Sequence, residues 1–215
     1  MIVVNFKTYK EATGFRATRL AEICRRVERE TKVRIVAVPQ VADLRNCVET
    51  GVECWVQNVD TVEQGKKTGW ITVEDVEEAG ARGTLLNHSE HKLPMELVKS
   101  IADQTRGMAF ELCLCAASLE EASELDKLAP NYIAYEPPEL IGSREKSVAS
   151  EKPEEIQRLV TSVQSLVLIG AGVHSKEDVN IGLKLGAKGI LLATDVVLAE
   201  DPEGELRKLA EAFKK

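Results

Sequence analysis

The fold class this sequence predicts is a single-domain (β/α)8 barrel. Three observations carry that expectation. Short apolar, β-branched runs recur at roughly 20- to 30-residue intervals, with amphipathic stretches of helical spacing between them. The runs are continuous rather than alternating, as strands covered on both faces of a parallel sheet must be. Eight strand-then-helix pairs fit within 215 residues, and no linker, low-complexity segment or charge run interrupts them. One domain over residues 1–215 is therefore expected. A doubly wound open sheet shares the alternation and is the alternative, although no GxGxxG follows the first strand.

The elements follow in order. The first strand, 2–5, reads Ile-Val-Val-Asn and leads to a helix over 14–30. Strand 33–38 is followed by helix 41–49, and strand 54–57 by helix 73–79. That third helix ends at Ala79-Gly80-Ala81, a glycine suited to a left-handed cap. Strand 83–87 precedes helix 94–104, and strand 108–115 precedes helix 118–128. The latter opens with Ser118-Leu119-Glu120-Glu121, a serine cap with an acid three residues on. Strand 132–136 leads to helix 153–164, and strand 166–170 to helix 175–185. Ser175-Lys176-Glu177-Asp178 repeats the capping signal, and Leu185-Gly186-Ala187 closes that helix. Strand 189–193 and helix 202–213 complete the set.

Composition narrows the function. Hydrophobic residues make up 44% and charged residues 29%, enough for a sizeable core and too apolar for disorder. The net charge of −7 offers no basic footprint for nucleic acid or an anionic membrane, so an anionic ligand must be captured locally. The five cysteines are odd in number and irregularly spaced, as expected for reduced core thiols rather than a disulfide framework or a zinc site. Met1-Ile2-Val3-Val4 runs into Asn5 without a basic targeting segment, and no stretch approaches the roughly 20 apolar residues of a membrane span. A cytoplasmic protein is expected.

In such a barrel the chemistry sits at the C-terminal ends of the strands. Asn5-Phe6-Lys7 ends the first, and period-2 alternation sends Asn5 and Lys7 to one side. A lysine leaving for solvent competes with a cation and an amide facing an oxyanion. Asn87-His88-Ser89-Glu90 ends the fourth, where an adjacent helix N-terminus would keep His88 neutral and able to donate to a substrate oxygen. Against that stands a histidine merely capping a loop. His91 and His174 read as surface residues without partners. Glu136, followed by Pro137-Pro138, ends the sixth strand as a positioned general base or as an exposed loop carboxylate, while Glu139 reads as solvent-facing. Gly170-Ala171-Gly172 and Ala193-Thr194-Asp195 let backbone N–H groups approach an anion after strands seven and eight. Neither a Ser/His/Asp or Cys/His series nor clustered metal ligands emerge, so no metal and no cofactor are expected.

Taken together, Asn5-Phe6-Lys7, Asn87-His88-Ser89-Glu90, Glu136-Pro137-Pro138-Glu139-Leu140-Ile141-Gly142 and Gly170-Ala171-Gly172 resemble the triosephosphate isomerase family, in its compact archaeal branch. The resemblance covers essentially the whole chain in the same order. It implies a TIM barrel that interconverts dihydroxyacetone phosphate and D-glyceraldehyde 3-phosphate in glycolysis and gluconeogenesis. Glu136 would be the base and His88 the neutral electrophile. Lys7 would supply positive charge, Asn5 would orient substrate and Glu90 would be a supporting carboxylate. The phosphate would lie against Ile141, Gly142, Gly172, Ala193 and Thr194. Thr68 matches a threonine that this family sends into a neighbouring subunit's site, implying a homodimer or homotetramer.

Three departures from the family pattern follow. The lid reads Ser143-Arg144-Glu145-Lys146-Ser147, one residue longer than usual, and its charges should resist packing over a closed site. Thr194-Asp195 stands where a Ser-Gly pair is usual, setting a carboxylate near a bound phosphate. Lys67 replaces a histidine at the subunit contact. Two rivals follow: another phosphate-binding barrel, such as a phosphoribosyl-anthranilate isomerase or a thiamine-phosphate synthase, and a paralogue that binds a phosphorylated metabolite without turnover. The Asn-x-Lys, His and Glu set weighs against the first.

Overall fold

Strands apolar on both faces need cover on both, and closing the sheet on itself supplies it. The computed structural model describes residues 1–143 and 145–214. The chain runs β1 Ile2–Asn5, α1 Phe15–Thr31, β2 Ile35–Val38, α2 Leu44–Val48, β3 Glu53–Cys54, α3 Val73–Glu78, β4 Gly83–Leu86, α4 Met95–Thr105 and β5 Glu111–Ala116. It continues through α5 Leu119–Asp126, β6 Tyr132–Tyr135, α6 Val148–Glu151, α7 Pro153–Ser162, β7 Leu166–Ile169, α8 Lys176–Lys184, β8 Gly189–Leu192, α9 Thr194–Val197 and α10 Pro202–Ala210.

All ladders are parallel, in the order β3-β2-β1-β8-β7-β6-β5-β4. β1 pairs with β2 on one side and β8 on the other, and the ends of the ladder meet at a single bridge between Val56 and Thr84. A doubly wound sheet keeps two open edges, so this closure decides against it. Val3, Val36, Leu85, Cys113, Ala134, Leu168 and Leu191 fill the barrel interior, while Ile2, Val4, Ile35, Leu114, Ile133 and Ile169 pack outward into the larger core beneath the helices. All five cysteines are buried and unpaired. Among the described residues no helix is long and apolar enough to cross a membrane.

Element boundaries shift where caps intrude. β2 starts at Ile35 rather than 33, because Lys32 caps α1 at φ +62 and Val33 N–H is taken by the Thr31 hydroxyl. β5 starts at Glu111 because Met108 N–H still bonds Thr105 O beyond α4. β3 is shorter than 54–57, since only Glu53 and Cys54 pair with β2. Helix 41–49 divides into a 3-10 turn, Val41–Asp43, and α2, and helix 202–213 into α10 and a 3-10 turn, Glu211–Phe213. α6 and α9 were not foreseen; four residues are too few for a periodic signal.

Beneath the strands' N-terminal ends, Arg34 donates to Glu53 and Glu111 and, at 2.8 Å, to the Tyr132 hydroxyl. This network closes the floor of the barrel. The opposite end is left to the loops that carry the polar strand ends.

Candidate active site

At the exit of β1, Asn5 and Lys7 share a cleft, but not through strand alternation. Lys7 lies beyond the strand with φ +48, a conformation side chains rarely adopt. Its N–H donates to Asn5 Oδ1 at 2.9 Å, and its carbonyl accepts from Gln57 Nε2 at 3.0 Å. Lys7 Nζ reaches Glu90 Oε1 at 2.6 Å. Gln57, the polar residue after β3, is a positioning group that the sequence reading missed. A polar side chain ending an otherwise apolar strand was the available signal.

His88 is 7% exposed. The helix N-terminus expected beside it is absent, since α4 begins only at Met95 and the segment after His88 is a turn. The ring meets a single backbone donor instead: Glu90 N–H donates to His88 Nδ1 at 3.2 Å. With Nδ1 as the acceptor, the neutral ring carries its proton on Nε2. Nε2 stands 3.4 Å from Glu136 Oε2.

Glu136 continues β6 through its N–H bond to Ala116 O and is 7% exposed. Its Oε2 is buried and has no hydrogen-bond partner among the described residues. Burial pushes the carboxyl above its ordinary range, against the pull of His88, Lys7 and the Cys115 thiol. Room for it depends on Gly170, where an added Cβ would stand 2.6 Å from Glu136 Cγ. Gly170 was read only as part of an anion loop; its partner lies on the neighbouring strand, out of reach of local sequence. Glu139 is exposed and pairs with Lys152 at 2.7 Å.

Ala171 and Gly172 both take left-handed backbone, at φ +66 and +70. A side chain at Gly172 would strike the Lys146 carbonyl, and Val148 N–H donates to Ala171 O at 3.1 Å, so the loop after β7 lies against the exit of the lid. Glu145 and Lys146 face solvent, and Lys146 pairs with Glu151 at 3.2 Å. The reading of Arg144 lies outside the described residues. Ser147 caps α6, and its hydroxyl donates to buried Asp178 at 2.5 Å. Asp178 also accepts from Ser175 and from His174 N–H. His174 is consequently no isolated surface residue: it is half-buried, with Nδ1 2.5 Å from Gly172 O and 3.9 Å from Asp178. Its neighbours come from the fold of its own loop, which spacing does not reveal. His91 is exposed.

These strand ends meet at a cleft lined by Asn5, Lys7, His88 and Glu136 together with Ile141, Gly142, Gly172, Ala193 and Thr194. Asp195 lines both this cleft and the neighbouring cavity beside α9 and α10. Tyr9 joins the two sides through a 3.1 Å bond between its hydroxyl and that of Thr194. Glu90 lines an adjoining cavity rather than the cleft itself, with its side chain 53% exposed. Thr68 is exposed on the loop after β3, away from the cleft of its own chain. Among the described residues, no group of three or more His, Cys, Asp and Glu side chains is placed to hold a metal ion. The arrangement suits proton transfer on a small anionic substrate: a buried carboxylate acceptor, an imidazole donor, a lysine, and small residues where an anion can approach backbone.

Comparison with known proteins agrees. The family model for triosephosphate isomerase matches residues 1–213. The triosephosphate isomerase of Methanocaldococcus jannaschii is 36% identical over 215 residues, covering 97% of this chain and 98% of the relative. That of Methanopyrus kandleri is 41% identical over 216 residues, with 97% and 95% covered. That of Thermoplasma volcanium is 39% identical over 212 residues, with 97% and 98% covered.

Proposed function

The chain belongs to the triosephosphate isomerase family, and from that membership we propose that its cleft interconverts dihydroxyacetone phosphate and D-glyceraldehyde 3-phosphate with Glu136 and His88 as the proton-transfer pair. One observation carries the assignment: a buried, hydrogen-bond-free carboxylate oxygen lies 3.4 Å from an imidazole nitrogen whose ring accepts a backbone hydrogen bond at its other nitrogen.

The ionised Glu136 removes a proton from the carbon beside the carbonyl, while His88 Nε2–H donates to the carbonyl oxygen. The resulting enediolate is stabilised by Nε2–H and by Lys7; His88 gives its Nε2 proton to the former carbonyl oxygen and takes the proton of the adjacent hydroxyl, which becomes the new carbonyl, while Glu136 returns its proton to the neighbouring carbon. Asn5 orients the substrate, and Glu90 holds the Lys7 ammonium at the rim. The phosphate rests against Ile141, Gly142, Gly172, Ala193 and Thr194. The reaction needs no cofactor or metal, and the whole chain acts as one barrel domain in the cytoplasm.

Thr68 completes the site of a neighbouring copy in a homodimer or homotetramer. Its loop also carries Trp70, 53% exposed, and Phe15 and Val41 are 70% and 44% exposed. Light scattering on the purified protein should give at least two copies, and a monomer would overturn this part.

The catalytic reading is tested by a coupled isomerisation assay beside titration with 2-phosphoglycolate, a mimic of the enediolate. Turnover with tight inhibition is expected, whereas tight binding without turnover would identify a ligand-binding paralogue. Glu136→Asp withdraws the base by one methylene and should cost on the order of 100-fold in kcat; unchanged turnover would remove Glu136 from this role.

A further inference from the structure

His88 rides on a turn, 88–92, whose own backbone supplies two bonds, from His91 N–H to His88 O and from Glu90 N–H to His88 Nδ1. The two ends of that turn are also tied to one carboxylate on α5. Asn87 takes φ +60, a left-handed conformation that asparagine tolerates better than most residues. Its side chain is fully used: Nδ2 donates to Cys115 O at 3.0 Å and to Glu121 Oε1 at 2.8 Å, and Oδ1 accepts from Leu93 N–H at 3.2 Å. Lys92 donates to the same Glu121 Oε1 at 2.7 Å, and Ala117 N–H donates to its other oxygen at 2.7 Å. Neither Asn87, Glu121 nor Lys92 lines the cleft.

We propose that Asn87, Glu121 and Lys92 form a bracket that aims His88 Nε2 at the reacting oxygen, with Asn87 and Glu121 as positioning residues for the isomerisation. The physical need is directional. A neutral imidazole polarises a carbonyl only along its N–H bond, and productive geometry tolerates shifts of roughly 0.5 Å and 10–20°. Asn87 staples the start of the turn both to β5, through Cys115 O, and to Leu93 beyond its end. Burial would raise the Glu121 carboxyl, but the Lys92, Ala117 and Asn87 donors outweigh it and keep it below its usual range, so the carboxylate stays an acceptor for all three. The inference rests on His88 being the proton donor to the substrate.

The test is Asn87→Gly, which keeps the left-handed backbone and deletes three hydrogen bonds. The expected result is a kcat about 10-fold lower with KM within about twofold, and a ¹⁵N spectrum in which the His88 ring samples the Nδ1-protonated tautomer. Asn87→Asp sets a second carboxylate against Glu121 and should be slower still. Adding Glu121→Gln restores a donor to that pair and should recover part of kcat. If Asn87→Gly does not fold, Glu121→Gln alone must show the same loss in kcat at unchanged KM. Unchanged kcat and tautomer in the folded single variants, or no recovery in the double variant, would overturn the bracket. His88→Gln separates the two readings. If it is inactive while Asn87→Gly is normal, only the bracket falls; if it is as active as the parent, both fall.

Discussion

At Glu136, burial raises the carboxyl's pKa while His88, Lys7 and Cys115 oppose it, and the result lies above the ordinary value of 4.5. Two consequences follow at the scale of this residue. With Glu136 as the proposed base, turnover needs its ionised form, so the acid limb of kcat/KM against pH should fall above 4.5. Stability has the opposite dependence. Because the folded state holds this proton more tightly than the unfolded chain, the cost of the buried charge is absent at low pH. It grows as the pH rises through the folded value and is complete above it. Glu136→Gln removes that cost, so thermal melts should show the variant gaining Tm over the parent at pH 8 and not at pH 4. An equal difference at both would contradict the direction of the shift. Gly170 is the complementary case. Gly170→Ala places a methyl 2.6 Å from Glu136 Cγ, and kcat should drop by on the order of 10-fold with KM little changed.

Among the elements, the lid exit and the loop after β7 behave as one unit, joined at Asp178. This carboxylate, 6% exposed, caps α8 through Ser175 and accepts from Ser147 at the start of α6. Asp178→Ala removes both contacts and leaves buried donors unpaired, a loss of about 2 kcal/mol to be read from urea unfolding. The same variant should raise KM for triose phosphate, because Gly172 and the lid exit no longer share an anchor. A stability loss with unchanged KM would confine Asp178 to capping.

Across the whole molecule, the barrel separates stability from activity by end. Arg34 sits at the floor with Glu53 and Glu111, its side chain 35% exposed. Arg34→Ala leaves two acids uncompensated, and with solvent screening of the exposed part it should cost about 2 kcal/mol. The folded fraction should keep its kcat/KM, because the cleft lies at the other end of the strands. Lost kcat/KM at full folding would show that the two ends are coupled.

Eight apolar runs separated by amphipathic stretches were enough to predict a barrel, because burial on both strand faces forbids polar alternation. Asn5, Lys7, His88 and Glu136 were also legible, as polar side chains ending apolar strands. Other features were not, because their causes lie far apart in the chain. The tautomer of His88 depends on a turn rather than the anticipated helix. The room for Glu136 depends on Gly170 of the adjoining strand, and the partners of His174 on a folded loop. Periodicity reports which face of an element is buried, a property of neighbours in sequence. Hydrogen-bond partners, steric room and the polarity around a titrating group are set by neighbours in space, and these exist only once the strands have closed into a ring.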